Sequence, residues 1–378
     1  MSNIHIALVG GQPVPVYLGI KDNHEARLVV LVHSTKSRPE AERIAAMFPK
    51  RTFRYVECSP VDLADISGVA EGLFSEYKDD AVVVNLTSGT KLWTLGFFRV
   101  FLFSDHVRFI YVDQNNVITD IQSREQKESS IDKLDLFRLY GTRLDSCRLY
   151  TEYTQADFGV ATKIEELRRS FKSVFFELDD KVRQSLCDGD GQFVTKGGSV
   201  ITYYPTESRL VLDLINMRSG YNKYVKLQSP HVLDLVFNAG WFELKTAKAI
   251  SENNKVGEVL LNCKFADQEG IAKNEIDIIA EIGNRLLFVE CKTMIHNATD
   301  IDKFRSAVRN FSGTSSMLLF VTNDAIKDSN RLVYNHAIEK CRDNQIESFN
   351  FAYWKDHILK ASSINDIINQ NINQQNKR

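Results

Sequence analysis

Apolar positions in the first third of the chain fall into short, mostly apolar runs: Ile4 to Val9, Leu28 to Val32, Phe53 to Glu57, Ala81 to Val84 and Phe109 to Val112. Runs this short, rich in β-branched and aromatic residues, are expected as buried strands. Between them Pro39 to Phe48, Ile66 to Tyr77 and Leu92 to Phe103 space their apolar residues at the helical period. Strands alternating with helices predict parallel pairing through crossover connections, a doubly wound parallel α/β sheet. Ligands of such sheets bind beyond the carboxyl ends of the strands, so the loops there are the place to look.

The last third is patterned differently. A helix is expected from Asn238 to Ile250, starting near Gly240, and Val256 to Phe265 opens a strand meander. Asn274 to Ile282 and Arg285 to Lys292 are apolar strands around Gly283-Asn284, a turn pair that fixes hairpin register. Asp300 to Phe311 is expected as a helix and Met317 to Thr322 as a strand. The middle, Lys127 to about His231, is less regular. Ser130 to Leu144 and Thr162 to Leu186 have helical periodicity, Cys187-Asp-Gly-Asp-Gly191 and Lys196-Gly-Gly-Ser199 are loop signals, and Val194 to Tyr204 is a candidate hairpin. The Asp-Gly run lacks the later ligands of a calcium loop. This middle is expected to be a connector or a winged-helix-like or dimerising insert. The tail from Ser362, rich in Asn and Gln, holds a short Ile-containing helix candidate and is expected to fray toward Arg378. The expected organisation is a first domain over 1–140, a connector over 141–232, a second α/β domain over 233–360 and a polar tail over 361–378.

Composition narrows the classes. With 378 residues the chain is too long for one ordinary core, and 43% hydrophobic with 25% charged residues is the balance of a soluble globular protein. A net charge of −2 excludes a protein that coats nucleic acid by bulk electrostatics; any such contact must be local, as in an enzyme cleft. Cys58, Cys147, Cys187, Cys263, Cys291 and Cys341 show no C-x-x-C spacing, so neither a zinc ribbon nor a disulfide framework is indicated, and a reducing cytoplasm is expected. No stretch approaches the roughly 20 apolar residues of a membrane span, and no secretory signal pattern opens the sequence.

The hairpin carries the sharpest chemistry. With Gly283 and Asn284 as the loop, Ile282 faces Arg285 and Asp277 faces Glu290, while Glu290 and Lys292 share a strand face. Like charges directly opposite destabilise a sheet pair, and a divalent metal would relieve them. Two carboxylates and an ammonium suit phosphodiester hydrolysis: Asp277, Glu290 and the backbone carbonyl of Cys291 as ligands of Mg²⁺ or Mn²⁺, which the residues do not distinguish, and Lys292 as charge partner of nucleophile and phosphate. Glu-x-Lys alone is common on solvated strand faces; the apolar strand it ends and the Asp in register across the turn give it weight. Lys303, Arg305 and Arg309 on the following helix suit either a phosphate backbone or a solvated face.

In the first part, three strand-end loops are rich in small polar residues: Gly10-Gly-Gln-Pro-Val-Pro15, His33-Ser-Thr-Lys-Ser37 and Asn85-Leu-Thr-Ser-Gly-Thr-Lys91. They offer N–H groups, hydroxyls and a cation to a phosphate or ribose. Neither a P-loop nor a G-x-G-x-x-G fingerprint is present, and Ser, Thr and Gly also serve as ordinary caps and turns. Together the loops favour a nucleotide ligand.

Asp-x12-Glu-x-Lys on a hairpin resembles the PD-(D/E)xK nuclease superfamily, with its restriction-endonuclease-like fold. Many of its members carry a helical acid reaching the metal, which makes Glu243 a further catalytic candidate; the alternative is a dipole-favoured surface residue. The Asn85 to Lys91 run resembles the signature loop of CARF domains, the Rossmann-like sensors of type III CRISPR systems. The order of the two, over about 1–140 and 235–355, is similar to CRISPR ancillary nucleases in which cyclic tetra-adenylate switches on the nuclease. The resemblance implies a homodimer with the ligand across its two-fold axis. It also implies ligand contacts from Gly11, Gln12, Pro13 and Val14, from Ser34, Thr35 and Lys36, and from Asn85, Thr87, Ser88, Gly89, Thr90 and Lys91. The implied substrates are single-stranded DNA and RNA, with nicking of duplex DNA as an addition. Two alternatives stay open: a ligand-gated regulator that binds nucleic acid without cutting it, and a ring nuclease that degrades the cyclic oligoadenylate.

Overall fold

The computed structural model describes residues 3–189, 191–237, 239–267, 269–283, 285–295, 297–308, 316–323, 331–352 and 363–375. Asn238, Asn284, Arg309, Phe311, residues 353–362 and the end of the tail, all named in the sequence-based expectations, lie outside them.

Five parallel strands form the first sheet, as the alternating pattern predicts: β1 (Asn3–Val9), β2 (Leu28–His33), β3 (Thr52–Glu57), β4 (Ala81–Asn85) and β5 (Val107–Val112). Their order is β3-β2-β1-β4-β5, extended by an antiparallel hairpin of β6 (Val117–Asp120) and β7 (Gln126–Glu128) that the apolar pattern does not reveal. Helices α1 (Pro13–Asp22) and α2 (Arg38–Ala46) cover one face, where Val16, Ile20 and Ile44 pack on Ala7, Val29 and Leu31. Helices α3 (Leu63–Glu76) and α4 (Lys91–Phe101) cover the other, where Ile66, Trp93 and Phe97 pack on Ile6, Leu8 and Val84. The helix starts are set by caps: the Asp62 carboxylate accepts from the N–H groups of Ala64 and Asp65, and the Thr90 hydroxyl accepts from that of Trp93.

Beyond the hairpin the helical periodicity from Ser130 to Leu144 overstates the helix. Only α5 (Lys133–Leu139) forms; Gly141 adopts a left-handed φ of 72°, and the chain leaves as a strand, β8 (Arg143–Leu149). The helix expected over Thr162 to Leu186 starts earlier, where Thr154 caps it, and is broken in three, α6 (Gln155–Ser170), α7 (Lys172–Phe176) and α8 (Asp180–Asp188), the last start capped by Asp179. An antiparallel sheet follows, β9 (Gln192–Val194), β10 (Val200–Tyr204), β11 (Arg209–Asn216) and β12 (Tyr221–Gln228), in the order β12-β11-β10-β9. The Val194 to Tyr204 hairpin is its β9–β10 pair.

The second α/β unit is built from α9 (Val232–Val236), α10 (Gly240–Ser251), β13 (Val256–Ala266), β14 (Ala272–Ile282), β15 (Arg285–Lys292), α11 (Thr299–Val308), β16 (Ser316–Thr322), α12 (Arg331–Asp343), β17 (Glu347–Asn350) and α13 (Ile364–Gln375). Its sheet runs β17-β16-β15-β14-β13-β8, so the strand after α5 becomes its edge. The two units share a core: Phe137 of α5 meets Phe265 of β13 edge-on at 4.9 Å between centroids, and one apolar cluster runs from α1 and α2 through α5 to β13, β14 and α11. Among the described residues no helix is long and apolar enough to cross a membrane.

Candidate functional site

The β14–β15 hairpin has the register its turn pair predicts. Ile282 pairs with Arg285 and Ile278 with Val289, which sets Asp277 against Glu290 at the open end. The main-chain N–H of Cys291 donates to the Asp277 carboxylate at 2.6 Å and orients it. Lys292 Nζ lies 2.5 Å from Glu290 Oε1. Asp277, Glu290 and Lys292 are all half-buried, so they are positioned by the sheet yet reach solvent. Burial, followed by the neighbouring Glu290, pushes Asp277 up to about 7. Burial also raises Glu290, against the pull of Lys292. For Lys292 burial acts downward, but Glu290 and Asp277 outweigh it and the ammonium is held firmly charged.

Glu243 comes from the first turn of α10 and is buried, 8% exposed, so it is no solvated surface acid. Its Oε2 has no partner among the described residues. Burial first, then Asp277 and Glu275, raise its pKa well above the usual carboxylate range. The approach of α10 to this point depends on Gly240, where a Cβ would lie 2.0 Å from the Asp234 carbonyl oxygen.

A local irregularity sits at the same place. Ile276 and Ile278 are two apart on one strand yet join different cores, as do Leu261 and Cys263 on β13. Between each pair lie Asp277 and Asn262, and Asn262 has a left-handed φ of 51°. The site is thus where the sheet stops alternating regularly, a feature without a sequence signature.

Next to Asp277 opens a cleft of about 570 Å³ whose lining includes Glu243, Glu275, Asn262 and Lys264 on the sheet side. Arg148 of β8, the edge strand of the same sheet, lines it too, with Arg183 of α8 and Asp234 of α9. Arg148 donates to one Asp234 oxygen at 2.5 Å and Arg183 to the other. None of Glu275, Lys264, Arg148, Arg183 or Asp234 was legible as a site residue, because no spacing relates them. Among the described residues no group of three or more His, Cys, Asp or Glu side chains is arranged to hold a metal ion. A cation at the hairpin would therefore take Asp277 and Glu290 and complete its shell from main-chain oxygen, that of Cys291 included, and water.

The strand-end loops of the first sheet enclose a cavity of about 1010 Å³. Of the expected ligand residues, Gly11, Ser34, Thr35, Lys36 and Thr90 line it; Gln12, Pro13, Val14, Asn85, Thr87, Ser88, Gly89 and Lys91 do not. Several of the latter hold the loops together. Asn85 is fully buried and donates to the Pro15 carbonyl, Thr87 donates to Asn85, and the Ser88 hydroxyl donates to the Gln12 carbonyl. Gly10 packs so closely under the Asn85 loop that a Cβ there would lie 1.8 Å from the Ser88 carbonyl oxygen. The end of β3, the loop after it and the first turn of α3 supply lining residues that composition does not flag: Glu57, Ser59, Pro60, Asp62 and Asp65.

Comparison with known proteins agrees with this division. Residues 4–137 match the Card1 CARF domain, and residues 234–347 match the Card1-like endonuclease domain. No curated protein matches the sequence. Among solved structures, Can2 from Sulfobacillus thermosulfidooxidans in complex with cyclic tetra-adenylate has a TM-score of 0.66 at 15% identity, with 98% of each chain covered. Protein VC1899 from Vibrio cholerae has a TM-score of 0.64 at 15% identity, over 99% of this chain and 98% of that one. At such identities the likeness is one of fold. The chain thus carries an N-terminal Card1 CARF domain followed by a Card1-like endonuclease domain.

Proposed function

We propose that the protein is a metal-dependent nuclease of the PD-(D/E)xK kind, switched on by cyclic tetra-adenylate and cleaving single-stranded DNA or RNA in type III CRISPR defence. The observation that carries it is the meeting of Asp277, Glu290, Lys292 and Glu243, of which Asp277 and Glu243 line a polar cleft. Carboxylates buried with one ammonium to offset them are the condition a hard divalent cation relieves, so the donor set fits Mg²⁺ or Mn²⁺. Bound there, the metal would supply Lewis acidity and an activated water. The chain's own groups do the rest. The Cys291 N–H holds Asp277 in place, and Lys292 opposes the upward pull of burial on Glu290 and offers its ammonium to a phosphate oxygen. Glu243, whose pKa burial raises well above the usual carboxylate range, stands beside Asp277 as a group to donate or take a proton.

The ligand assignment is supported by the CARF match, by the size of the strand-end cavity and by the cyclic tetra-adenylate bound to Can2. A homodimer is supported by exposed apolar residues before and on α3 and on α4: Val61 is 74%, Leu63 58% and Leu95 64% exposed. Six free cysteines are consistent with the cytoplasm.

The test is cleavage of labelled single-stranded DNA, single-stranded RNA and supercoiled plasmid with Mn²⁺ or Mg²⁺, with and without cyclic tetra-adenylate, and with cyclic hexa-adenylate as control. Cleavage that needs both metal and the tetra-adenylate is expected. Glu290→Gln and Lys292→Ala are expected to lower it at least about 100-fold with ligand affinity unchanged. Full cleavage by the Glu290→Gln variant overturns the site, and binding without any cleavage favours a ligand-gated regulator.

A further inference from the structure

The segment between the two matched domains builds one wall of the nuclease cleft. Arg148 on β8 and Arg183 on α8 lie outside both matched regions, yet both line the cavity that also holds Glu243 and Asp277. Each donates to a different oxygen of Asp234 on α9, so one carboxylate holds two guanidinium groups in fixed orientation. Arg148 is further steadied over the Tyr153 ring, its guanidinium 5.7 Å from the centroid. Both stay accessible, with side chains 29% and 37% exposed. Asp180 of α8 lines the cleft as well, so these four side chains balance in formal charge, but each guanidinium keeps N–H donors that Asp234 does not use. Lys264 adds a cation on the sheet side. The cleft therefore holds the cations Arg148, Arg183 and Lys264 among the carboxylates Asp277, Glu275, Asp234 and Asp180.

We propose that Arg148 and Arg183, oriented by Asp234, are phosphate-binding residues of the substrate strand, seating the backbone next to the bond cleaved at Asp277 and Glu290. This rests on the nuclease reading. Arginine suits the task because its planar fork matches two phosphate oxygens, and a preformed pair loses little side-chain entropy on binding. A tie that merely fastens β8, α8 and α9 together would need no accessible donors in the cleft.

The test uses the full-length chain with cyclic tetra-adenylate and Mg²⁺, and a labelled single-stranded DNA oligonucleotide, with an RNA of the same sequence as a second arm. Arg148→Ala, Arg183→Ala, Arg148→Lys and Arg183→Lys are each made in the active protein and in the Glu290→Gln background, where binding is read over a series of salt concentrations. Each alanine variant is expected to raise KM about tenfold with kcat within threefold, and to reduce the magnitude of the log-affinity against log-salt slope by about 0.7, one contact on a single strand. The lysine variants are expected to restore most of the slope and KM, since they keep the charge. Unchanged KM and slope in both alanine variants overturn the proposal, as does a loss confined to kcat or thermal stability that lysine does not rescue. A parent protein that cleaves no nucleic acid overturns the nuclease reading and this assignment together; a parent that cleaves normally beside unaffected variants overturns this assignment alone.

Discussion

Asp277 and Glu290 face one another across a hairpin, and the raised pKa of Asp277 has a stability consequence with a definite sign. An ordinary aspartate titrates near 3.9, whereas burial and then Glu290 carry Asp277 up to about 7. Between those values the folded chain keeps a proton that the unfolded chain has released. Stability from this group is therefore present below about pH 4 and lost as pH rises toward 7. Without divalent metal, the midpoint of thermal unfolding is expected to fall less steeply from pH 4 to 7 in Asp277→Asn than in the parent; an identical slope would remove Asp277 as its cause. Mn²⁺ is expected to raise the parent's midpoint at pH 7 by displacing those protons, and to do so far less in Asp277→Asn. His5 contributes the opposite limb. Burial first, then Arg51 and Arg108, lower it to about 3, so its stability is full above about 6.5 and is lost as pH falls toward 3. At this scale the hairpin triad was legible, because a two-residue turn and strict alternation determine which residues oppose. The burial of Glu243 was not, because whether a first-turn acid faces solvent depends on what packs over it.

Among the elements, α5 joins the sensor to the nuclease. On one side Tyr17 donates to Asp135 at 2.9 Å and Arg43 to the Leu139 carbonyl at 2.8 Å. Just past the helix Tyr140 donates to the Gln12 side chain at 3.2 Å, in the loop after β1. On the other side Lys133 bridges Glu258 at 2.5 Å and Glu281 at 2.8 Å, one on each of β13 and β14. The chain then enters β8, which carries Arg148 into the cleft. A displacement of the first loops on ligand binding would thus be passed by a short rigid segment to the nuclease wall. Lys133→Met is expected to reduce ligand-stimulated cleavage at least about tenfold while ligand affinity stays within about threefold, measured by cleavage rate and by titration of the ligand. Equal activation in the variant would take Lys133 out of the coupling. Helical periodicity alone extended this helix to Leu144, since it cannot register that Gly141 turns left-handed and that an edge strand is needed beside β13.

At the scale of the whole molecule, the exposed apolar side chains of Val61, Leu63 and Leu95 in the first domain predict association. Light scattering is expected to give twice the 43.1 kDa chain mass, and Leu63→Glu with Leu95→Glu is expected to give monomers that no longer bind cyclic tetra-adenylate tightly. Dimers with undiminished affinity in that double variant would place the interface elsewhere. The sequence by itself determined the local features: five parallel strands with crossover helices, the hairpin register, and the carboxylate pair opposite one another. These follow from short-range periodicity and turn chemistry, which any chain with those residues shares. Only the tertiary structure decided how the middle segment is used, that β8 completes the second sheet, and that Arg148, Arg183 and Asp234 meet Glu243 and Asp277 in one cleft. Those groups come from elements far apart in sequence, and what brings them together is the packing of one shared core, for which no spacing along the chain carries a signal.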